Sequence, residues 1–239
     1  HQMLVEGDAA AAHDIAPAAT PLRVLVTGGS GLIGAALARV LRARGHDVVL
    51  TTRKAGDRGV VIDFIRMPAA TDLAKALTGV DVIVNAVGIF RESGEQRFDA
   101  LHVKAPLALL HAARLAGVRR FVQISALGAD AASPLPYFAS KGSADEEILA
   151  STRPACIVVR PSLVFAPAGA STRWFAMLAV LPVTPLPGES TACVQPLHLD
   201  DLVRVHAQLV EEGHAGTRID AVGPRALGLR EYLQIFKQA

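Results

Sequence analysis

The chain has 239 residues, of which 51% are hydrophobic, and its formal net charge is +2. This length fits one large α/β domain, or one domain with a small appendage. A charge so close to neutral gives no reason to expect nucleic acid as an electrostatic partner. The longest nearly unbroken apolar run, 174–183, contains Pro182 and is about half of the ~20 residues that span a bilayer, so no membrane span is expected.

From residue 22 to residue 160, apolar strand patterns alternate with helical patterns. This order predicts an α/β fold, a doubly wound parallel Rossmann sheet with helices on both faces. The predicted strands are 22–26, 48–50, 60–63, 80–86, 121–125 and 156–159, and the predicted helices between them are 33–41, 71–77, 98–116 and 137–150.

After Pro161 this rhythm breaks into a region rich in proline and glycine. We interpret residues 161–239 as a small substrate or lid lobe, interleaved with the core and closing over the carboxyl edge of the sheet, where ligands bind in such folds. Residues 1–21 begin His1-Gln2-Met3 and are Ala-rich, which predicts a tag remnant and flexible leader. The last helical pattern, 229–236, runs to the end of the chain, so we expect a fragment of a longer protein.

The two cysteines, Cys156 and Cys193, lie in apolar runs without the spacing of a zinc site. They predict buried free thiols in a reducing compartment, and no metal site. We therefore expect a cytoplasmic protein whose partner is a small-molecule substrate. The sequence does not predict its oligomeric state.

The segment from Thr27 to Gly34 follows the first predicted strand and opens the first predicted helix. Strand, glycine-rich turn, helix and strand form the unit that binds dinucleotides. In this interpretation Gly28 permits the tight turn, Gly31 lets backbone N–H groups approach a pyrophosphate, and Gly34 lets the helix pack against the strand. The cofactor-binding residues predicted here are Gly28, Ser30, Gly31, Leu32, Ile33 and Gly34. A plain structural turn is the alternative.

The end of the second strand, Leu50-Thr51-Thr52-Arg53-Lys54, bears on the choice of cofactor. A site specific for NAD usually has a carboxylate there for the ribose hydroxyls, and this segment has none. Thr52, Arg53 and Lys54 are suited to a 2′-phosphate, which Arg53 would bind with two parallel hydrogen bonds. This favours NADP, with NAD left open. Alternatively, the two cations simply begin a loop.

Tyr137 and Lys141 lie four residues apart on one predicted helix, so they share a face. An ammonium beside a phenol stabilises the phenolate and lowers the pKa of the phenol toward working pH, which makes Tyr137 a candidate proton donor or acceptor for a carbonyl/alcohol pair. Ser125, twelve residues earlier at the end of a strand, would face the crevice and bind a carbonyl oxygen. The alternatives are a surface tyrosine with an ordinary helical lysine, and a turn-forming serine.

Taken together, these motifs resemble the short-chain dehydrogenase/reductase superfamily, in its extended or atypical branch. The resemblance covers residues 22–237, and is closest to the group around the nucleotide-binding subunit of respiratory complex I. That group includes bacterial proteins whose reductase-like domain precedes a DoxX-type membrane module, so membrane association is expected if the parent chain continues. The motifs are Thr27–Gly34, Asn85–Gly88, Ile124–Ala129, Tyr137–Lys141, Arg160–Phe165 and Pro196–Asp201.

The resemblance implies a catalytic set of Ser125, Tyr137 and Lys141, with Tyr137 as the acid/base. It also implies further cofactor contacts, which are Asp63 and Phe64 on the adenine side, Ala86, Val87 and Gly88 after the fourth strand, Lys141 and Pro161. For Asp63, an ordinary aspartate at the end of a strand is the alternative. His102 stands where the family often has an asparagine that supports a proton-relay water. This histidine would either bind such a water or lie on the helix surface.

Two functions remain open at this stage. One is an NAD(P)H-dependent oxidoreductase that moves a hydride between the cofactor and a carbonyl or alcohol. The other is a non-catalytic NAD(P)-binding module that acts as a redox sensor or as an assembly subunit of a membrane redox system. The acidic run Asp145-Glu146-Glu147 is expected to be a solvated helix face in either case.

Overall fold

The structure is a computed structural model, and it describes residues 18–52, 59–179, 193–212 and 215–238. The strands are β1 (Arg23–Thr27), β2 (Asp47–Thr52), β3 (Gly59–Val61), β4 (Val82–Asn85), β5 (Arg120–Ile124), β6 (Ala155–Pro161), β7 (Val164–Phe165), β8 (Cys193–Val194), β9 (Leu197–His198), β10 (Thr217–Ala221) and β11 (Leu227–Gly228). The α-helices are α1 (Leu32–Ala43), α2 (Ala70–Ala76), α3 (Ala105–Leu115), α4 (Pro136–Ala150), α5 (Ala170–Ala179), α6 (Leu199–Glu212) and α7 (Leu229–Gln238), and a π-helical turn spans Asp99–Lys104.

Among the described residues, seven strands form one sheet in the order β10-β6-β5-β4-β1-β2-β3, with every pair parallel. The chain leaves β1 towards β2 and β3 on one side, and returns to β4, β5 and β6 on the other. The direction of winding therefore changes between β1 and β4, and in such sheets the ligand crevice forms at this point, beyond the carboxyl ends of the strands. The predicted Rossmann architecture is confirmed.

Both faces of the sheet are buried, which explains the continuous apolar runs in the sequence. Successive residues of β1 point to opposite faces, so Val24 and Val26 join one core cluster and Leu25 joins the other. The first cluster lies beneath α1 and α6, with Leu37 and Leu202 fully buried. The second lies beneath α2, α3 and α4, and includes Leu73, Leu109, Phe121 and Ile148.

A polar contact fixes α6 against the first βαβ unit. Arg44, after α1, forms two hydrogen bonds of 2.7 Å with the carboxylate of Glu211 on α6. His46 lies 3.0 Å from the same carboxylate through Nε2, and its Nδ1 accepts the Leu22 N–H at 3.2 Å. Because Nδ1 accepts, the proton is on Nε2 and is donated to Glu211. These contacts hold the pKa of Glu211 below its usual value, chiefly through the hydrogen bond from Arg44.

The C-terminal third of the chain is divided between the main sheet and a smaller part. Strand β10 pairs with β6 at the edge of the sheet, and α6 covers its first core cluster. The short pairs β7–β9 and β8–β11 lie outside this sheet. Helices α5 and α7 meet there through Phe175 and Tyr232, whose ring centroids are 5.3 Å apart. Of the two cysteines, Cys156 is buried in β6, but Cys193 is exposed on the two-residue strand β8, so the prediction was wrong for Cys193.

The predicted helix 98–116 begins with the π-helical turn instead of an α-helical one. The N–H of Ala105 donates to the carbonyl of Ala100, five residues earlier. Pro106 follows directly; it has no N–H, and its ring would clash with the carbonyl of His102 in α-helical geometry. The wider turn relieves this conflict. No helix of the described residues is long and apolar enough to cross a membrane.

Candidate functional site

The glycine loop forms a close-fitting turn between β1 and α1. Gly28 has φ +65°, and a Cβ there would lie 2.7 Å from the carbonyl oxygen of Ala86. A Cβ at Gly34 would overlap the Gly28 carbonyl oxygen and lie 2.8 Å from its carbon. Within the described part of the chain no side chain caps α1 at its N-cap Gly31, and the first turn of α1 holds no acidic residue. The exposed N–H groups and positive dipole end of α1 therefore fit a pyrophosphate.

Three buried polar side chains connect the strand ends beneath this loop. Thr27 Oγ1 donates to Asn85 Oδ1 at 2.5 Å, and Asn85 Nδ2 donates to Gln123 Oε1 at 2.8 Å. Thr27 Oγ1 also accepts the N–H of Ala86 at 3.1 Å. This chain of hydrogen bonds crosses β1, β4 and β5, and it fixes the start of the 86–88 segment against the glycine loop.

The structure describes some, but not all, of the other residues predicted to bind the cofactor. Thr52 ends β2, whereas Arg53 and Lys54 lie outside the described residues. Asp63 accepts the N–H of Ile65 at 3.0 Å, and Phe64 is buried in the second core cluster. Pro161 is buried at the end of β6, and its carbonyl accepts the N–H of Leu127 at 2.8 Å. The predicted contact of Asp63 with an adenine amine stays a prediction.

Tyr137 and Lys141 meet on α4, as their spacing predicts. Lys141 Nζ lies 5.8 Å from the Tyr137 ring centroid and donates to the carbonyl of Ile124 at 3.3 Å. A Cβ at Gly88 would lie 3.6 Å from this ammonium, so the segment that follows β4 lies beside Lys141. Burial raises the pKa of Tyr137 to about 12, so the predicted lowering of this pKa by Lys141 was wrong. Burial also lowers the pKa of Lys141 to about 8.

His102 is neither a surface residue nor a free water ligand, since it is 2% exposed. Its Nε2 accepts the N–H of Ile89 at 3.1 Å, so the ring proton is on Nδ1 and is donated to Ser140 Oγ at 3.0 Å. The Ser140 hydroxyl in turn donates a hydrogen bond to the backbone carbonyl of Tyr137. Burial, reinforced by the charge of Lys141, lowers the pKa of His102 to about 3. The imidazole is therefore neutral and fully hydrogen-bonded, and it holds α4 against the 86–90 segment.

Aromatic rings surround the Tyr137 phenol. Phe90 stacks on it with centroids 5.7 Å apart and an interplanar angle of 18°, and its side chain is 79% exposed. Phe98, His102 and Phe138 contact the same ring edge-on. An exposed phenyl ring beside a candidate proton donor offers an apolar surface on which a substrate can lie.

Ser125 is buried at the end of β5, and its hydroxyl donates to Asp145 Oδ2 at 2.6 Å. While it does so, it has no proton to offer a substrate carbonyl oxygen, so the predicted oxygen-binding role stays a prediction. Asp145 itself is 3% exposed, and the expectation of a solvated acidic face was wrong for it. It lies two turns after Tyr137 on the inner face of α4, whereas Glu146 and Glu147 are exposed.

Comparison with known proteins identifies the lineage. The family model of NAD-dependent epimerases and dehydratases matches residues 24–222. The chain belongs to this family. As the sequence motifs predicted, it is an atypical member of the short-chain dehydrogenase/reductase type with an NAD(P)-binding Rossmann fold.

Two relatives and one solved structure show the range of this likeness. The mitochondrial NADH dehydrogenase (ubiquinone) 1 alpha subcomplex subunit 9 of Arabidopsis thaliana is 27% identical over 228 residues, covering 88% of this chain and 56% of the relative. The 3-diazoavenalumate denitrifying reductase of a Streptomyces species is 30% identical over 225 residues, covering 82% and 74%. A dTDP-glucose 4,6-dehydratase of Streptomyces venezuelae, solved with NAD bound, has TM-score 0.69 at 25% identity, covering 91% and 80%.

Several residues that contact the candidate site were not predicted from the sequence. Asp145 was placed on the wrong face of its helix, although its spacing of four and eight residues from Lys141 and Tyr137 could have located it. Phe90 and Gln123 carried no signal in a single sequence, because only the tertiary fold brings them to Tyr137 and Asn85.

Proposed function

We propose that this protein is an NAD(P)H-dependent oxidoreductase that moves a hydride between its cofactor and a carbonyl or alcohol substrate. The observation that supports this most directly is the half-buried Tyr137 beside the buried Lys141, whose ammonium lies next to Gly88 at the carboxyl edge of the sheet. Burying a lysine without a close ionic partner costs free energy. A catalytic role would explain why the protein keeps this lysine, because its charge assists proton exchange by the neighbouring phenol.

Each group in this proposal has a limited task. The glycine loop holds the pyrophosphate, and Ala86, Val87 and Gly88 border the reactive end of the cofactor. The bound nicotinamide supplies or accepts the hydride. In the direction of reduction Tyr137 donates its proton to the carbonyl oxygen, and in the direction of oxidation Lys141 stabilises the phenolate that accepts one. His102 positions the helix that carries both residues.

The alternative, a non-catalytic NAD(P)-binding module, has less support. A module that only holds a dinucleotide needs the glycine loop, but it has no need of a phenol and an ammonium at the reactive end of the crevice. The chain spans 56% of the length of the Arabidopsis relative, and that relative's place in NADH dehydrogenase belongs to the longer protein.

The proposal is tested by following NAD(P)H oxidation with a panel of aldehydes, ketones and quinones. Tyr137→Phe is expected to lower kcat at least about 100-fold, because general acid/base catalysis contributes roughly that much. Tyr232→Phe is the matched control, since it removes the only other tyrosine hydroxyl of the chain, in α7, without touching the site. If Tyr137→Phe turns over as fast as the wild-type protein, the proposal is contradicted. Tight cofactor binding with no turnover of any compound would contradict it too.

We further propose that NADP is preferred over NAD, on the absence of an acid in the segment 50–54 and the presence of Arg53 and Lys54. The 2′-phosphate of NADP carries the charge that these residues would recognise. Titration of both cofactors measures this preference.

A further inference from the structure

Lys141 is a buried cation whose charge needs compensation. It is 6% exposed, and the polar contact of its ammonium is the carbonyl of Ile124. In the described part of the chain no carboxylate forms a direct ion pair with it. A buried ammonium in such surroundings loses its proton easily unless a negative charge lies nearby.

Asp145 provides that charge from the same helix. It follows Lys141 by four residues, so both side chains leave α4 on the same face. Its carboxylate accepts a hydrogen bond from the hydroxyl of Ser125 at 2.6 Å, and it lies 3.8 Å from Arg160 Nε of β6, at ion-pair distance. The side chain therefore cannot turn out to solvent without giving up these contacts.

We propose that Asp145 is a positioning residue for the active site, whose carboxylate keeps Lys141 protonated and thereby keeps Tyr137 competent in proton transfer. This inference rests on the proposed function, because it assigns the electrostatic support of the same Tyr137–Lys141 pair. Ser125 takes part by holding the carboxylate in place through its hydroxyl.

The charges around the pair agree with this assignment. Burial lowers the pKa of Lys141 to about 8, and the charge of Asp145 opposes that effect. Burial raises the pKa of Asp145 to about 6, while the Ser125 hydrogen bond and the charges of Lys141, Arg160 and Arg218 oppose it. His102, which faces Lys141 from the π-helical turn, is neutral. Between about pH 6 and pH 8, both Asp145 and Lys141 are therefore charged.

An open pocket of about 440 Å³ borders on Asp145, between α4, the 128–130 segment and the strands β6 and β10. Its polar lining includes Asp145, Arg160 and Arg218. Asp145 Oδ1 and Arg160 Nε are buried, and neither has a hydrogen-bond partner among the described residues. A polar cavity of this size has room for water, which would satisfy both atoms. It also has room for one more methylene group at position 145.

The test is an NMR titration of the lysine side chains. The chain has five lysines, so ¹³Cε-lysine labelling gives few signals, and Lys141→Met assigns the one in question. Asp145→Asn keeps the size of the side chain but removes its charge, and is expected to lower the titration midpoint of Lys141 by about one pH unit. Asp145→Glu keeps the charge and is expected to restore the wild-type midpoint. Glu146→Gln, an equal change of charge at the exposed neighbouring position, is expected to leave the midpoint unchanged.

An unchanged midpoint in Asp145→Asn, or an equal shift in Glu146→Gln, would overturn the inference. If Asp145→Asn does not fold, the smaller neutral Asp145→Ser takes its place. The titration needs no turnover, so it judges Asp145 even if the proposed reaction is not found. With an active enzyme, kcat of Asp145→Asn should fall between pH 7 and 8 and recover at lower pH, whereas a purely structural defect would lower it at every pH.

Discussion

The substitution Gly34→Ala tests most sharply whether the glycine loop binds the pyrophosphate of the cofactor. Gly34 is in the first turn of α1, where alanine is otherwise favoured over glycine by about 1 kcal/mol. In this protein the added Cβ would overlap the Gly28 carbonyl oxygen, and would lie 2.8 Å from the Gly28 carbonyl carbon and 3.1 Å from Gly29 Cα. Each of these neighbours is backbone, so none can rotate away.

The size of the effect follows from these distances. Carbon atoms pack at about 3.5 Å or more, so the loop must move by about 0.7 Å. Overpacking of this kind costs about 1–3 kcal/mol, which the gain in helix propensity offsets in part. Stability should therefore fall by no more than about 2 kcal/mol. Cofactor binding should suffer more, because the N–H groups of the loop move away from the pyrophosphate, and we expect Kd to rise at least about tenfold, or 1.4 kcal/mol.

The assay is a fluorescence titration of NAD(P)H with the wild-type protein and two variants, each first checked by urea denaturation. Gly79→Ala is the control. Unlike Gly34, Gly79 has a positive φ of +76°, so alanine is strained there, but its Cβ would meet no described atom within 4 Å. It should lose stability and keep its cofactor affinity. If Gly34→Ala binds NAD(P)H as tightly as the wild-type protein, the close backbone contacts of the loop are not needed for cofactor binding, and this account of the loop is refuted.

Three further predictions concern other parts of the molecule. Glu211→Gln weakens the contacts of α6 with Arg44 and His46, so the free energy of unfolding should fall by about 1–3 kcal/mol in urea denaturation, and an unchanged value would mean that the contact is not stabilising. Burial lowers the pKa of His206 from 6.5 to about 4, so the unfolded chain binds a proton in this range that the folded chain does not. Stability should therefore fall as pH decreases from about 6.5 to 4, by up to about 3 kcal/mol from this residue, and His206→Gln should flatten the dependence; an equally steep curve would contradict this. Arg53→Ala should weaken NADPH binding at least about tenfold and leave NADH binding unchanged, and equal affinities for both cofactors, unaltered by the substitution, would disprove the NADP preference.

Much of the fold could be predicted because the sheet is buried on both faces. Continuous apolar runs such as Val82–Val84 predict buried strands, and Gly45 and Gly117 mark where the helices between strands stop. Together these signals predict alternating parallel strands and helices. The prediction was less accurate where one residue overrides a pattern. Pro106 converts the start of the predicted helix 98–116 into a π-helical turn, although the apolar spacing there is that of an α-helix.

The candidate site was predictable only where its residues are neighbours on one element. Tyr137 and Lys141 share a helix face, so their spacing indicated their contact. Asp145 shares that face too, but its two acidic neighbours made the whole run look solvated. The partners that bury it, Ser125 and Arg160, come from two other strands, and a single sequence does not reveal such contacts.

The central claim, hydride transfer with Tyr137 as the acid/base, is tested most directly by isotope transfer. NAD(P)H carrying deuterium at C4 is incubated with the protein and each compound of the carbonyl panel, and the products are analysed by mass spectrometry. We predict a product deuterated at the former carbonyl carbon with the wild-type protein, and a rate at least about 100-fold lower with Tyr137→Phe. Deuterium in no product, with a protein that binds the cofactor tightly, would contradict the account.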